Sequence, residues 1–289
     1  MSILVLGSSG QLATHLRELL PEAKYFGRDT LDLGEPGGVT AAIEATKPSA
    51  IINAAGYTAV DKAESEPALA WRINAESVAA AAVAATALDV PFVHVSTDYV
   101  FDGLKASDYV ENDAVNPLSV YGATKLAGEL AARALCKKSW ILRASWVFSE
   151  HGANFVKTML RLAATRDELR VVADQHGRPT YAGDLATVIT AMVRDKDIEN
   201  RLPFGTYHAV GGPIVSWFEF GQMIVEQAFV RGIIPKRVPV RAITTAEYPT
   251  PARRPASSAL KANGEIERAL GITLDWREGL AVALTALRG

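Results

Sequence analysis

The stretch Ile3-Leu4-Val5-Leu6-Gly7-Ser8-Ser9-Gly10-Gln11-Leu12-Ala13 decides the fold. Four apolar residues in succession read as a strand buried on both faces, and Gly7 ends it. Over residues 11–20 the pattern becomes helical, with Leu12, Leu16, Leu19 and Leu20 on one face. A strand that turns through glycines directly into a helix leaves the first helical N–H groups without partners. Together with the positive end of the helix dipole, those groups suit a phosphate, and Gly7 and Gly10 let the backbone approach it. The spacing is G-x-x-G-x-x-A rather than G-x-G-x-x-G. On its own, a tight turn with no ligand would read the same way.

Outward from this unit the alternation continues. Lys24–Phe26 is a short strand, residues 39–46 are helical, and Ala50–Asn53 is a buried strand. A long helix over residues 68–88 leads to a strand at 92–96, and a helix near 118–135 leads to a strand at 139–143. Such alternation predicts an α/β protein with a Rossmann-type, doubly wound parallel sheet. After Arg143 the rhythm loosens into helices near 155–165, 183–193 and 217–231, separated by Pro- and Gly-bearing loops. We therefore expect a dinucleotide-binding domain over 1–145, with elements around 183–210 returning to it. A smaller C-terminal substrate-binding lobe is expected over 146–182 and 211–289. The run Tyr248-Pro249-Thr250-Pro251-Ala252-Arg253-Arg254-Pro255 is too proline-rich for regular helix or central strand, and its stiffness and charge suit ligand contact.

Composition narrows the function classes. With 289 residues, 49% of them apolar and 21% charged, the chain can bury a large core. A formal net charge of −2 gives no electrostatic reason to expect nucleic acid or an anionic membrane as partner. The single cysteine, Cys136, excludes an intrachain disulfide and reads as a structural thiol. The N-terminal strand lacks the basic flank and length of a secretory signal, and no window approaches roughly 18 uninterrupted apolar residues. The expectation is a cytoplasmic protein without a membrane partner.

The candidate chemistry lies at the ends of the predicted strands. Arg28 follows the second strand, where an arginine suits the 2′-phosphate of NADP and an acid suits the free hydroxyl of NAD. A merely solvated arginine fits that position too. Asp32 falls nearby on the adenine side. The small residues of Asn53-Ala54-Ala55-Gly56 leave room for a cofactor across the strand ends. Tyr121 and Lys125 stand four apart on a helix and so share a face. Reducing a carbonyl needs a proton donor, and free tyrosine, with a pKa near 10, gives up its proton slowly at neutral pH. A nearby ammonium is expected to lower that pKa. Thr97, ending the fourth strand, can hold the same oxygen.

These residues carry a resemblance. The motifs G-x-x-G-Q-L (7–12), N-A-A-G-Y-T-A-V-D-K-A-E (53–64), V-S-T-D-Y-V-F-D-G (95–103) and P-L-S-V-Y-G-A-T-K-L-A-G-E (117–129) resemble the extended short-chain dehydrogenase/reductases, as do R-A-S-W-V-F (143–148), D-Q-H-G-R-P-T (174–180) and Y-P-T-P-A-R-R-P (248–255). Within that superfamily they are similar to the dTDP-4-dehydrorhamnose reductase family. The resemblance implies reduction of the 4-keto group of dTDP-4-dehydro-6-deoxy-L-mannose, with NADPH as cofactor and NADH usable. It implies cofactor contacts from Gly10, Gln11, Leu12, Arg28, Asp32, Leu33, Gly56, Tyr57 and Thr58. Tyr121 and Lys125 would serve both catalysis and the nicotinamide ribose. Thr97, Asp98 and Trp146 would contact the sugar nucleotide, and Asn154 and Arg254 its diphosphate. Trp146 also reads as a core aromatic. A homodimer is compatible with the resemblance. Some members are metal-bridged through acidic side chains, but His15 and Gly183 occupy two such positions here, so no metal is expected. Ala13 stands where many members have glycine, a difference of one methyl.

Two rival readings share the fold. A 4,6-dehydratase needs aspartate followed by glutamate beside the threonine, whereas Asp98 is followed by Tyr99; an epimerase more often has an acid where Arg28 stands. A non-catalytic regulatory subunit could dispense with Thr97, Tyr121 and Lys125, all of which are present.

Overall fold

The computed structural model describes residues 2–262 and 264–288. Its centre is a six-stranded, wholly parallel sheet. In chain order the strands are β1 (Ile3–Leu6), β2 (Lys24–Phe26), β3 (Ala50–Asn53), β4 (Phe92–Thr97), β5 (Ser139–Ala144) and β6 (Gly205–His208). Across the sheet they run β2-β1-β3-β4-β5-β6. The order reverses between β1 and β3, which opens a crevice at the carboxyl ends of those strands. Leu6 pairs in register with both Phe26 and Asn53, so the turn at Gly7 and the Ala54–Gly56 run leave the sheet at one level. The doubly wound fold expected from the alternation is the one found.

Both faces of the sheet are covered. Helix α1 (Gln11–Leu19) and the helix Ala182–Arg194 pack on one face over Ile3, Val5, Ile52 and Val93. Helix α2 (Pro36–Thr46), the helix Ser77–Ala87 and the helix Val120–Leu135 cover the other, over Leu4, Leu6 and Ile51. In α1 the buried set is Leu12, Ala13, His15 and Leu16, while Leu19, read as inward from periodicity, is partly exposed. The helix ends at Leu19, so the backbone turn at Leu20 carries the next apolar side chain inward instead. Cys136 caps the Val120–Leu135 helix and is buried as a free thiol.

A second core joins the helices Phe155–Ala163, Trp217–Val230 and Trp276–Ala286, with Phe148, Tyr181, Phe220 and Trp276 at its centre. The parallel pair Leu169–Val172 and Val240–Ile243 borders it. Sequence alternation does not reveal this pair, because Arg241 and Ala242 are exposed and, among the described residues, Val240–Ile243 pairs with Leu169–Val172 alone. The segment 248–255 is irregular, as its prolines require. Among the described residues, no helix is long and apolar enough to cross a membrane.

Candidate active site

Gly7 has φ +115°, a conformation that side-chain-bearing residues rarely adopt, and its N–H donates to Phe26 O at 2.7 Å. Gly10 begins α1 with no side-chain cap and no acidic residue in the first turn. A Cβ built at Gly10 would meet nothing within 4 Å. The helix therefore presents uncapped N–H groups to open space, the arrangement that accepts a dinucleotide's diphosphate. Gln11 opens the helix, and Leu12 is buried behind it.

Around this turn the other expected cofactor residues spread along the strand ends. Gly27 packs so closely on the Ser8 side chain that Arg28 stands, exposed, beside the glycine turn. Asp32 is exposed and accepts from Gly34 N at 2.7 Å, while the Leu33 carbonyl accepts from the Ser77 hydroxyl. Gly56 adjoins the Lys125 ammonium, 3.9 Å from where a Cβ would sit. Tyr57 is buried and donates to Glu66 at 2.7 Å, and Thr58 is exposed.

The candidate catalytic residues come together where β4 meets the Val120–Leu135 helix. Ser119 caps that helix, accepting from Gly122 N at 3.1 Å. Gly122 and Gly128 lie against the backbone of Tyr99 and Asn74, where any Cβ would collide with a carbonyl oxygen at 2.3 or 2.1 Å. This close approach holds Tyr121 edge-on to Tyr99, with ring centroids 5.5 Å apart, and near enough to Thr97 for its hydroxyl to act on the phenol. Lys125 donates to Val95 O at 2.7 Å. Thr97 Oγ1 donates to Asp98 Oδ1 at 3.0 Å, and the Ser258 hydroxyl donates to the other carboxylate oxygen.

Burial dominates the electrostatics here. It pushes Tyr121 up to about 12, with the Thr97 hydrogen bond opposing and the Asp98 charge reinforcing it. Burial also brings Lys125 down to about 8, against the pull of Glu129, and raises Asp98 to about 6. The expectation that Lys125 lowers the tyrosine pKa is corrected by this structure. Burial raises the phenol and lowers the ammonium, each on its own account. The outcome still suits reduction, because a phenol that starts fully protonated is the form a proton donor needs.

The sugar-side candidates are scattered more widely. Trp146 has φ +49° and lies flat on Trp217, with centroids 3.6 Å apart and planes 10° off parallel. Gly177 is covered by its indole. Asn154 caps the Phe155–Ala163 helix and donates to Gln11 Oε1 at 2.9 Å, so its amide ties the second core to the glycine turn. Arg254 spends its fork on Asp61, at 2.9 Å to each carboxylate oxygen, and also bonds Thr250. Burial and Arg254 act oppositely on Asp61, and the Arg254 hydrogen bond, the larger effect, holds its carboxyl below the usual range. Three separated motifs thus meet here: Asp61, the Gly103 turn packed on Pro255, and the proline-rich loop.

Two further residues belong to this architecture. Buried Asn74, in a π-helical turn over Arg72–Glu76, accepts from Tyr57 N at 2.8 Å and donates to Tyr57 O and Thr124, each at 3.1 Å. Ser258 is the second. Asn74 reads from sequence as an ordinary helical position, because nothing local encodes the extra residue of a π turn.

A doubly wound sheet, a glycine turn at its switch point and a Thr–Tyr–Lys group at the end of β4 define a dinucleotide-dependent oxidoreductase of the extended short-chain class. Comparison with known proteins places it further. The family model described as RmlD substrate binding domain matches residues 1–288. The dTDP-4-dehydrorhamnose reductase of Aggregatibacter actinomycetemcomitans is 44% identical over 284 residues, covering 96% of each chain. The crystal structure of a Clostridium acetobutylicum dTDP-4-dehydrorhamnose reductase superposes with a TM-score of 0.90 at 39% identity, covering 100% of both chains. That of the Bacillus anthracis enzyme, solved in complex with NADP, gives 0.89 at 36% identity over 99% of each. The chain belongs to the dTDP-4-dehydrorhamnose reductase family.

Proposed function

We propose that this chain reduces the 4-keto group of dTDP-4-dehydro-6-deoxy-L-mannose to give dTDP-L-rhamnose, with Tyr121 as proton donor. The observation that carries the reading is the convergence of Thr97, Tyr121 and Lys125 in a chain that matches reductases of this family end to end. NADPH bound along the glycine turn supplies the hydride. Thr97 and Tyr121 hold the carbonyl oxygen, and Tyr121 gives it the phenolic proton as the carbon is reduced. Lys125, anchored on Val95 O beside Gly56, orients the ribose. Asp98, Trp146 and Arg254 are proposed to face the sugar nucleotide. Asn154 acts through Gln11.

The rivals fare worse on particular residues. Tyr99 follows Asp98 and stacks edge-on to Tyr121, so elimination lacks its second carboxylate. A non-catalytic subunit has no need of an intact Thr–Tyr–Lys group. NADPH oxidation against a panel of 4-keto nucleotide sugars, with NMR of the product, tests the assignment. Turnover confined to substrates with another reactive carbon would overturn it.

Two expected results concern this site. The first is pH dependence. Lys125 is charged below about 8 and neutral above it, while Tyr121 remains protonated until about 12. The kcat/KM for reduction is therefore expected to be full below the Lys125 value and to decline as pH rises through it. Glu129→Gln removes a charge that raises Lys125 and should move this limb to lower pH. A pH–rate profile of both proteins checks the shift, and an unmoved limb would assign it to another group. The second concerns cofactor choice. If the exposed Arg28 pairs with the 2′-phosphate, a charge-assisted bond of about 1.5–3 kcal/mol is at stake, reduced by solvent and salt. Arg28→Ala should weaken NADPH roughly tenfold and leave NADH nearly unchanged. Equal losses for both cofactors at one ionic strength would show that Arg28 does not read the phosphate.

A further inference from the structure

Away from the catalytic cleft, α1 and the loop at 149–152 bring His15, Glu150 and His151 together. One ligand atom from each lies within 4.8 Å of the others. His15 Nε2 stands 3.7 Å from Glu150 Oε2, and His151 Nε2 stands 3.8 Å from Glu150 Oε1. The two imidazole centroids are 5.0 Å apart and meet edge to face. Glu18, one turn along α1 and exposed, reaches both rings, at 3.7 Å from His15 Nδ1 and 3.7 Å from His151 Nε2.

We propose that His15, Glu150 and His151 bind one divalent first-row transition cation of the zinc class within a single chain, with Glu18 or water as the fourth donor. Two nitrogens and one carboxylate form a donor set that zinc accepts and that magnesium, which prefers all-oxygen octahedra, does not. Ligands about 2.0–2.1 Å from zinc in a tetrahedron lie roughly 3.4 Å from one another, so the present separations need only small side-chain movements. Outer partners for the carboxylate are already in place: Tyr181 O–H and Ser149 O–H each donate to Glu150 at 3.1 Å, and the 2.9 Å contact between Ser149 and His15 Nε2 would open to free that nitrogen for the ion. Such partners orient ligands and commonly matter 10–100-fold in affinity. The position that argued against a metal in the sequence is thus the one that supplies a buried imidazole. A bound ion would pin α1, which carries Gln11 at its start, to the loop whose Asn154 holds Gln11.

The test uses tag-free, full-length protein without substrate. Titration with zinc, and with cobalt(II) as a spectroscopic probe, should give one ion per chain and a visible cobalt band typical of four- or five-coordination. Zinc should also raise the Tm. His151→Ala alters a half-exposed side chain and should keep the fold, checked by circular dichroism, while losing the cobalt band and weakening zinc at least about tenfold. Tyr181→Phe should weaken zinc without abolishing it. Unchanged zinc affinity in His151→Ala, half an ion per chain, or displacement by equimolar magnesium would each overturn the proposal.

Discussion

Tyr121→Phe is expected to lower kcat by roughly 10²–10⁴-fold while leaving the fold and NADPH affinity close to wild type. The substitution removes one oxygen and keeps the ring, which packs edge-on to Tyr99. Circular dichroism and Tm should therefore hardly change. Thr97 would lose a partner but keep its bond to Asp98. Because the phenol is protonated throughout the neutral range, its loss removes a donor that operates at every working pH. Single-turnover measurement of NADPH oxidation separates this loss from slow product release. Near-normal single-turnover rates in the variant would mean that another group protonates the alkoxide.

The second large effect is on stability. Glu129 lies one turn beyond Lys125 and pairs with Arg143 of β5 at 2.7 Å, with both side chains almost wholly buried. Arg143 also donates through Nε to Glu129 and through Nη1 to Glu111 O, and its guanidinium lies over Phe101. Burying such a pair gains little over an apolar pair, but removing one partner strands a charge. Glu129→Ala is expected to cost about 3–5 kcal/mol of unfolding free energy, read as a displaced denaturation midpoint. Arg143→Met combined with Glu129→Leu should recover much of that loss. If the single variant costs less than about 1 kcal/mol, the pair is solvated and the helix carrying Tyr121 and Lys125 is held some other way.

What could be read in the sequence was whatever local chemistry encodes. The β1–turn–α1 unit is legible because a four-residue apolar run, two glycines and a helical leucine spacing follow one another directly, although the spacing misplaces Leu19. Thr97, Tyr121 and Lys125 were legible because a strand end and a helical spacing of four fix where they point. What stayed hidden arises from long-range contact. Arg254 and Asp61 pair across 193 residues, and Ser258 reaches Asp98 across 160. No periodicity announces either contact, so nothing in the sequence points to the carboxylate that the Arg254 fork holds. The left-handed backbone at Trp146 is also invisible locally, since nothing in R-A-S-W-V-F calls for positive φ. Burial, too, is a collective property. The spacing of Tyr121 and Lys125 implied mutual attraction, but only the packed structure shows that desolvation prevails.

The central claim is that this site reduces the 4-keto group of a dTDP-sugar. It is tested most directly by single-turnover oxidation of bound NADPH with dTDP-4-dehydro-6-deoxy-L-mannose, run beside the same 4-keto sugar lacking its nucleotide. The account predicts rapid oxidation and dTDP-L-rhamnose with the nucleotide sugar, and very slow reaction with the free sugar, because remote binding energy is then missing. Equal rates with the two, or no oxidation with the nucleotide sugar while another carbonyl compound is reduced, would contradict it.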